Sequence, residues 1–152
     1  MKKILLSAVM LLSATYGFAC TNLIVTKGAS ADGSVMVSDA ADSHTRYGCL
    51  AYVLAGDHKK GEMRDILQWG SDKRGPFYYH GQIPQAPHTY NVMCNMNEHQ
   101  LIIGETTYGG RRELGAPNGI MDYGSLIYIT LQRAKTAREA IETIVDLANT
   151  YG

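Results

Sequence analysis

Three hydropathy regimes follow one another along the chain. Residues 4–14 are an apolar run broken only by Ser7 and Ser13, behind the positive pair Lys2 and Lys3. Residues 20–106 carry short β-branched runs separated by turn residues, the signature of strands in hairpins. From Asp122 onward the apolar spacing lengthens to that of helices.

Within the middle regime, residues 20–26 (Cys-Thr-Asn-Leu-Ile-Val-Thr) predict a strand and residues 35–38 a second. Residues 27–34 between them are turn chemistry, with Asp32-Gly33 as the hairpin signal. The polar stretch 38–48, with Asp39, Asp42, Ser43, His44 and Arg46, is expected at the end of the second strand or in a loop, and the hairpin returns it toward Cys20. Residues 49–55 are a third strand candidate. Residues 56–90 are the least regular stretch, holding Pro76, Pro84 and Pro87 and a short strand pattern at 65–69. A loop of that length is commonly functional. His58, His80 and His88 in it read as loop or surface histidines. Residues 91–96 and 101–106 predict a second hairpin joined by Asn97-Glu98-His99-Gln100. The glycine-rich loop 109–119 lacks the Lys-Ser/Thr of a phosphate-binding loop, so it is not read as a nucleotide site.

In the last regime Asp122 caps a helix over residues 124–134 that is apolar nearly all round, which predicts burial. Thr136 with Glu139 forms a capping box opening a second helix. Its expected core positions are Ala137, Ile141, Ile144, Val145 and Ala148. The order is hairpins, then two helices, an α+β class. A largely apolar helix needs cover on both sides, so the chain is expected to be a fragment of something longer.

Composition sharpens the first regime. A positive start, an apolar run and the small residues Gly17 and Ala19 before Cys20 predict a signal peptide over residues 1–19, with export to a periplasmic or extracellular space. A lipoprotein signal, with Cys20 acylated, is the rival. The bulky Phe18 and Gly17 at the positions before the cysteine favour ordinary cleavage. Residues 20–152 suffice for one modest domain. Formal net charge is zero with no long run of one sign, which suggests neither nucleic acid nor an anionic membrane as partner. The three cysteines, Cys20, Cys49 and Cys94, make an odd set. If Cys49 pairs with Cys94, about 4 kcal/mol of stabilisation follows and Cys20 is left over; two buried thiols fit as well. Zinc spacing is absent, so no structural metal and no cofactor is expected.

Cleavage after Ala19 would make Cys20 both thiol and chain terminus. A thiolate is a strong nucleophile, and a terminal α-amine, with an ordinary pKa of about 7.7–8.0, can take its proton without a histidine. Nucleophile and base then reside in one residue, suited to acyl transfer from an amide through a thioester. Backbone N–H groups or a polar side chain would have to meet the oxyanion.

Several stretches together resemble the C69 dipeptidases, N-terminal nucleophile (Ntn) hydrolases. They are Cys20-Thr21-Asn22-Leu23-Ile24-Val25, Ala31-Asp32-Gly33-Ser34, Asp42-Ser43 and Gly104-Glu105-Thr106-Thr107-Tyr108-Gly109-Gly110. The most specific are Tyr123-Gly124-Ser125-Leu126 and the run from Leu131-Gln132-Arg133-Ala134 through Lys135-Thr136-Ala137-Arg138-Glu139-Ala140-Ile141. The resemblance implies an αββα sandwich, of which this chain would be the N-terminal part, and hydrolysis of dipeptides or short peptides. It assigns Cys20 as nucleophile, Asp42 as the acidic residue near the terminal amine or a substrate ammonium, and Thr107 as a lining residue of the oxyanion pocket. Many members carry an Arg where this chain has Asp39. An N-acyl amide substrate of bile-salt or penicillin type is the alternative within this chemistry; a non-catalytic lipoprotein is the alternative outside it. No membrane contact is expected once the signal is cleaved, and association into a homo-oligomer stays open.

Overall fold

A computed structural model describes residues 20–40, 50–69, 77–106 and 110–152. The chain divides into two compact units, one of Met1–Asp42 with Glu105–Gly109, the other of Ser43–Gly104 with Gly110–Gly152.

In the first unit, β1 (Thr21–Val25) pairs antiparallel with β2 (Met36–Ala40), in register from Thr21↔Ala40 to Val25↔Met36. The loop between them is built by its own polar groups. Thr26 O accepts from Ala29 N at 2.9 Å and Ser30 N at 3.2 Å, and Asp32 Oδ1 accepts from Ser34 N at 3.0 Å. Gly33 takes φ 77°, a left-handed value that glycine reaches without steric cost. The second strand runs past its expected end at Ser38 to Ala40, and Asp39 lies at that end, in the ladder opposite Asn22.

The second unit contains β3 (Tyr52–Val53), β4 (Gly56–Asp57), β5 (Met63–Trp69), β6 (Phe77–Pro84), β7 (His88–Thr89), β8 (Val92–Met93) and β9 (Met96–Asn97). A 3₁₀ turn (Arg112–Leu114), α1 (Tyr123–Leu131) and α2 (Ala137–Tyr151) follow. Its strands make three small antiparallel sheets, β3-β8-β9, β4-β7 and β5-β6. The α+β class therefore holds at the level of small antiparallel sheets followed by two helices.

Several strand boundaries differ from the sequence pattern. The third strand expected over 49–55 is reduced to Tyr52–Val53, followed by Gly56–Asp57 in a different sheet; Cys49, and with it a bond to Cys94, lies outside the described residues. The hairpin expected from 91–96 and 101–106 is instead a tight one, β8–β9, turning at Cys94-Asn95, with a further turn through Gln100 and a single bridge Met96↔Ile102. At that further turn Asn97 N donates to the Leu101 carbonyl oxygen at 3.0 Å, while Leu101 N donates to the Asn97 side chain, Oδ1, at 3.1 Å rather than to a backbone carbonyl. The stretch read as irregular holds the longest hairpin, β5–β6, whose register shifts between Ile66 and Leu67. Gly81 sits at that bulge with φ 147°, and a Cβ there would come within 3.2 Å of Ile120 Cδ1.

Both helices start where expected. Asp122 Oδ1 accepts from Gly124 N at 2.9 Å and Ser125 N at 3.2 Å, capping α1. Thr136 Oγ1 accepts from Glu139 N at 3.3 Å, while Glu139 Oε2 reaches back to Lys135 N at 2.8 Å, one residue further than a standard capping box. The all-round apolarity of α1 has a direct cause, because two core clusters lie against it. Leu131 belongs to one with Val92, Leu101, Ala134 and Ala140; Ile129 belongs to the other with Ile66, Ile83 and Leu147. The face of α2 is a correction. Ala140 and Leu147 are buried, whereas Ile141 is 63% and Val145 49% exposed. Two apolar stripes run along this helix about one residue (about 100°) apart, and packing engages the one that periodicity did not favour.

Candidate active site

The first unit centres on the start of its hairpin. Cys20 is half-buried and directly precedes β1, whose ladder begins at Thr21↔Ala40. Side chains alternate along a strand, so position 20 shares a face with Asn22 and, across the ladder, with Asp39. Glu105 and Thr106 meet that same hairpin. Asn22 Nδ2 donates to the Glu105 carbonyl oxygen at 2.7 Å, Asp39 Oδ2 accepts from Glu105 N at 3.4 Å, and the Thr106 hydroxyl donates to the Cys20 carbonyl oxygen at 3.3 Å. Residues more than eighty positions apart in sequence thus gather at the cysteine. Of the three residues assigned from sequence, Cys20 is at this centre, whereas Asp42 and Thr107 lie outside the described residues.

Sequence pattern does not single out Asn22, Glu105 or Thr106, and it marks Asp39 as one of several polar residues after the second strand. Part of the signal was legible: period-two alternation puts Asn22 on the face of Cys20, and closing the hairpin sets Asp39 beside it. The approach of Glu105–Thr106 is a long-range contact that no local pattern encodes. At the far end of the hairpin the Asp32 carboxyl is held below the usual carboxylate range by hydrogen bonds from the Ser34 side chain and backbone. That interaction shapes the turn and is far along the ladder from Cys20.

The histidines of the second unit hold structure together. His58 Nδ1 lies 2.9 Å from Glu62 Oε1 and its Nε2 2.9 Å from Thr89 Oγ1. The order carboxylate, imidazole, hydroxyl imitates a catalytic triad. Thr89, however, is 2% exposed and its hydroxyl also donates to the Gly56 carbonyl oxygen at 3.4 Å, so it is out of reach of a substrate. The contact pins β4, β7 and the turn at Glu62. His80 Nε2 pairs with Gln68 Oε1 at 2.8 Å and His88 Nδ1 with Asp57 Oδ1 at 2.7 Å, both across strand pairs.

The second unit also has a cavity of about 360 Å³, walled by Val53, Leu67, Tyr128 and Ile129, with Arg64 and Gln68 among its polar lining. The Asp122 carboxylate, also in its wall, is engaged by the first turn of α1, including the Ser125 hydroxyl.

No solved structure matches the chain. The model of Peptidase family C69 matches residues 19–152, from the residue before Cys20 through both helices, and the chain therefore belongs to that family of peptidases.

Proposed function

We propose that the protein is an exported cysteine dipeptidase of the Ntn type, with Cys20 as nucleophile once residues 1–19 have been removed. One observation carries the reading: the match to a peptidase family starts at residue 19, directly before a cysteine that leads a strand. An αββα sandwich is the architecture that belongs with it.

In this reading the Cys20 thiol gives its proton to the α-amine of the same residue, directly or through one water, and the sulfur attacks the peptide carbonyl carbon. The C–N bond breaks as the proton passes to the departing amine, leaving a thioester on Sγ. Water then attacks the thioester, its proton taken by the same α-amine, and the C–S bond breaks to release the acid and restore the thiol. Thr107 is proposed to line the pocket of the oxyanion, and Asp42 to orient the α-ammonium or hold a substrate's ammonium. A dipeptide or short peptide is the substrate, because the family is one of peptidases.

The test is intact-mass analysis of the exported protein combined with a substrate panel. The expected chain begins at unmodified Cys20, hydrolyses dipeptides in preference to N-acyl amides, loses that activity as Cys20→Ala and keeps a trace as Cys20→Ser. A diacylglycerol adduct on Cys20 would overturn the proposal, since an acylated sulfur cannot attack. Preference for bile-salt or penicillin-type amides would overturn the substrate.

A further inference from the structure

We propose that the open edge of β5 and the cavity beside it bind a short peptide in extended conformation, its backbone adding a strand to β5 and its C-terminal carboxylate meeting Arg64. The site lies wholly in the second unit and does not depend on the reading of Cys20 as nucleophile. β5 belongs to a two-stranded sheet and pairs with β6 alone. Beyond that ladder no hydrogen bond engages the backbone of residues 64–68 among the described residues. A strand edge of this kind is a row of N–H and C=O groups ready to pair with another extended chain. The cavity of about 360 Å³ runs along that edge. Arg64, Asp65, Leu67 and Gln68 all line it, although successive side chains of a strand point to opposite faces, and no described residue of β6 does. Only the margin of β5 away from β6 meets both conditions.

Val53, Tyr128 and Ile129 give the cavity a mainly apolar wall, suited to an apolar side chain. The charge facing it is positive. Arg64 is the Cα partner of Ile83 and stands two positions from Ile66, so it lies on the face whose other residues are 0% and 1% exposed. Half-buried there, it has no carboxylate partner among the described residues. Its charge is felt instead by another cation. Burial pushes the Arg133 guanidinium below the usual arginine range, and Arg64 pushes it further, against the opposing effect of Tyr151. The two carboxylates in the lining are engaged elsewhere: Asp65 Oδ1 accepts from Gln82 Nε2 at 2.7 Å, and Asp122 caps α1. A half-buried guanidinium without a counter-charge favours an incoming carboxylate, which it can hold by two parallel hydrogen bonds. A peptide supplies all three elements at once: backbone groups for the edge, an apolar side chain for the walls and a terminal carboxylate for Arg64. A simple apolar acid would leave the edge unpaired.

Isothermal titration of the processed Cys20→Ala protein reads binding apart from hydrolysis, so its outcome is separate from that of the catalytic reading. Three ligands are compared: N-acetyl-Ala-Ala-Leu, its C-terminal amide, and the same acid with its backbone nitrogens methylated. The acid should bind, with the amide and the methylated acid each weaker by about tenfold or more. Arg64→Met should bind acid and amide alike. Leu67→Trp, at a position 47% exposed, should narrow the cavity and weaken the acid by about tenfold with Tm unchanged. Absence of binding, equal affinity for acid and amide, or undiminished binding of the acid by Arg64→Met would overturn the proposal. Full affinity for the methylated acid would also overturn it, by making the ligand an apolar acid that ignores the edge. Dimerisation that Leu67→Trp abolishes would assign the edge to a second copy of the chain instead. The comparison of the three ligands needs no variant at Arg64 or Leu67, so it decides the matter even where one of those folds poorly.

Discussion

Asn97 closes the end of α1 through Leu131: its Nδ2 donates to the Leu131 carbonyl oxygen at 2.8 Å and also to that of Ala134 at 2.7 Å. On its other side Oδ1 accepts from His99 N at 3.0 Å and Leu101 N at 3.1 Å. A side chain only 4% exposed thus has its amide fully engaged, and it joins the β9 turn to carbonyls that a helix end leaves unpaired. Replacing Asn97 by Leu should lower the unfolding free energy by about 3 kcal/mol, because buried donors and acceptors are left without partners. Asn97→Asp should be at least as harmful, since a carboxylate would face two carbonyl oxygens. Urea denaturation reads both; a loss below about 0.5 kcal/mol would refute the role given to this side chain.

Thr130 makes the opposite case. It is fully buried in α1, and its hydroxyl has no hydrogen-bond partner among the described residues. Thr130→Val exchanges that hydroxyl for a methyl of similar size and removes the cost of burying it. We expect stabilisation of about 1 kcal/mol, seen as a higher Tm. A clear fall in Tm would mean that the hydroxyl is engaged after all.

Gly81 should tolerate no side chain. Its φ of 147° disfavours L-residues, and an added Cβ would press on Ile120 at 3.2 Å. Gly81→Ala is expected to cost about 1–3 kcal/mol, the range for overpacking and strained backbone. Pairing it with Ile120→Val, which trims the side chain it meets, should recover part of the loss in thermal melts.

Acid should loosen the turns that carboxylates hold. Glu62 is drawn below its ordinary value of 4.5 chiefly by the hydrogen bond from His58, then by that from the Lys59 backbone; Glu98 is drawn down chiefly by the Asn91 side chain. A carboxyl depressed in the folded chain binds its proton less readily there than when unfolded. Its contribution is therefore complete above the ordinary value and is withdrawn as pH falls through the lower folded one. Stability should decline as pH drops below 4.5, and Glu62→Gln should flatten part of that decline. An unchanged slope in Glu62→Gln, measured by denaturation across pH, would count against the His58–Glu62 contact.

Much of this protein was written in local sequence. The caps at Asp122 and Thr136, the strand led by Cys20 and the turn through Asp32-Gly33 each depend on residues within a few positions of one another, so pattern alone determined them. The peptidase family was legible too, because its motifs are contiguous. What tertiary structure decided is what local pattern leaves degenerate. On α2 two apolar stripes were both available, and the packing of Ala140 and Leu147 selected one while leaving Ile141 exposed. The β6 strand, interrupted by Gly81, became visible only through its pairing with β5. At the candidate site the sequence singles out Cys20, since a cysteine behind an apolar leader and at the head of a strand pattern is a local feature. Its surroundings were decided by the approach of Glu105–Thr106 to Asn22, Asp39 and Cys20 across more than sixty residues of chain, a closure whose gain exists only once the chain has folded.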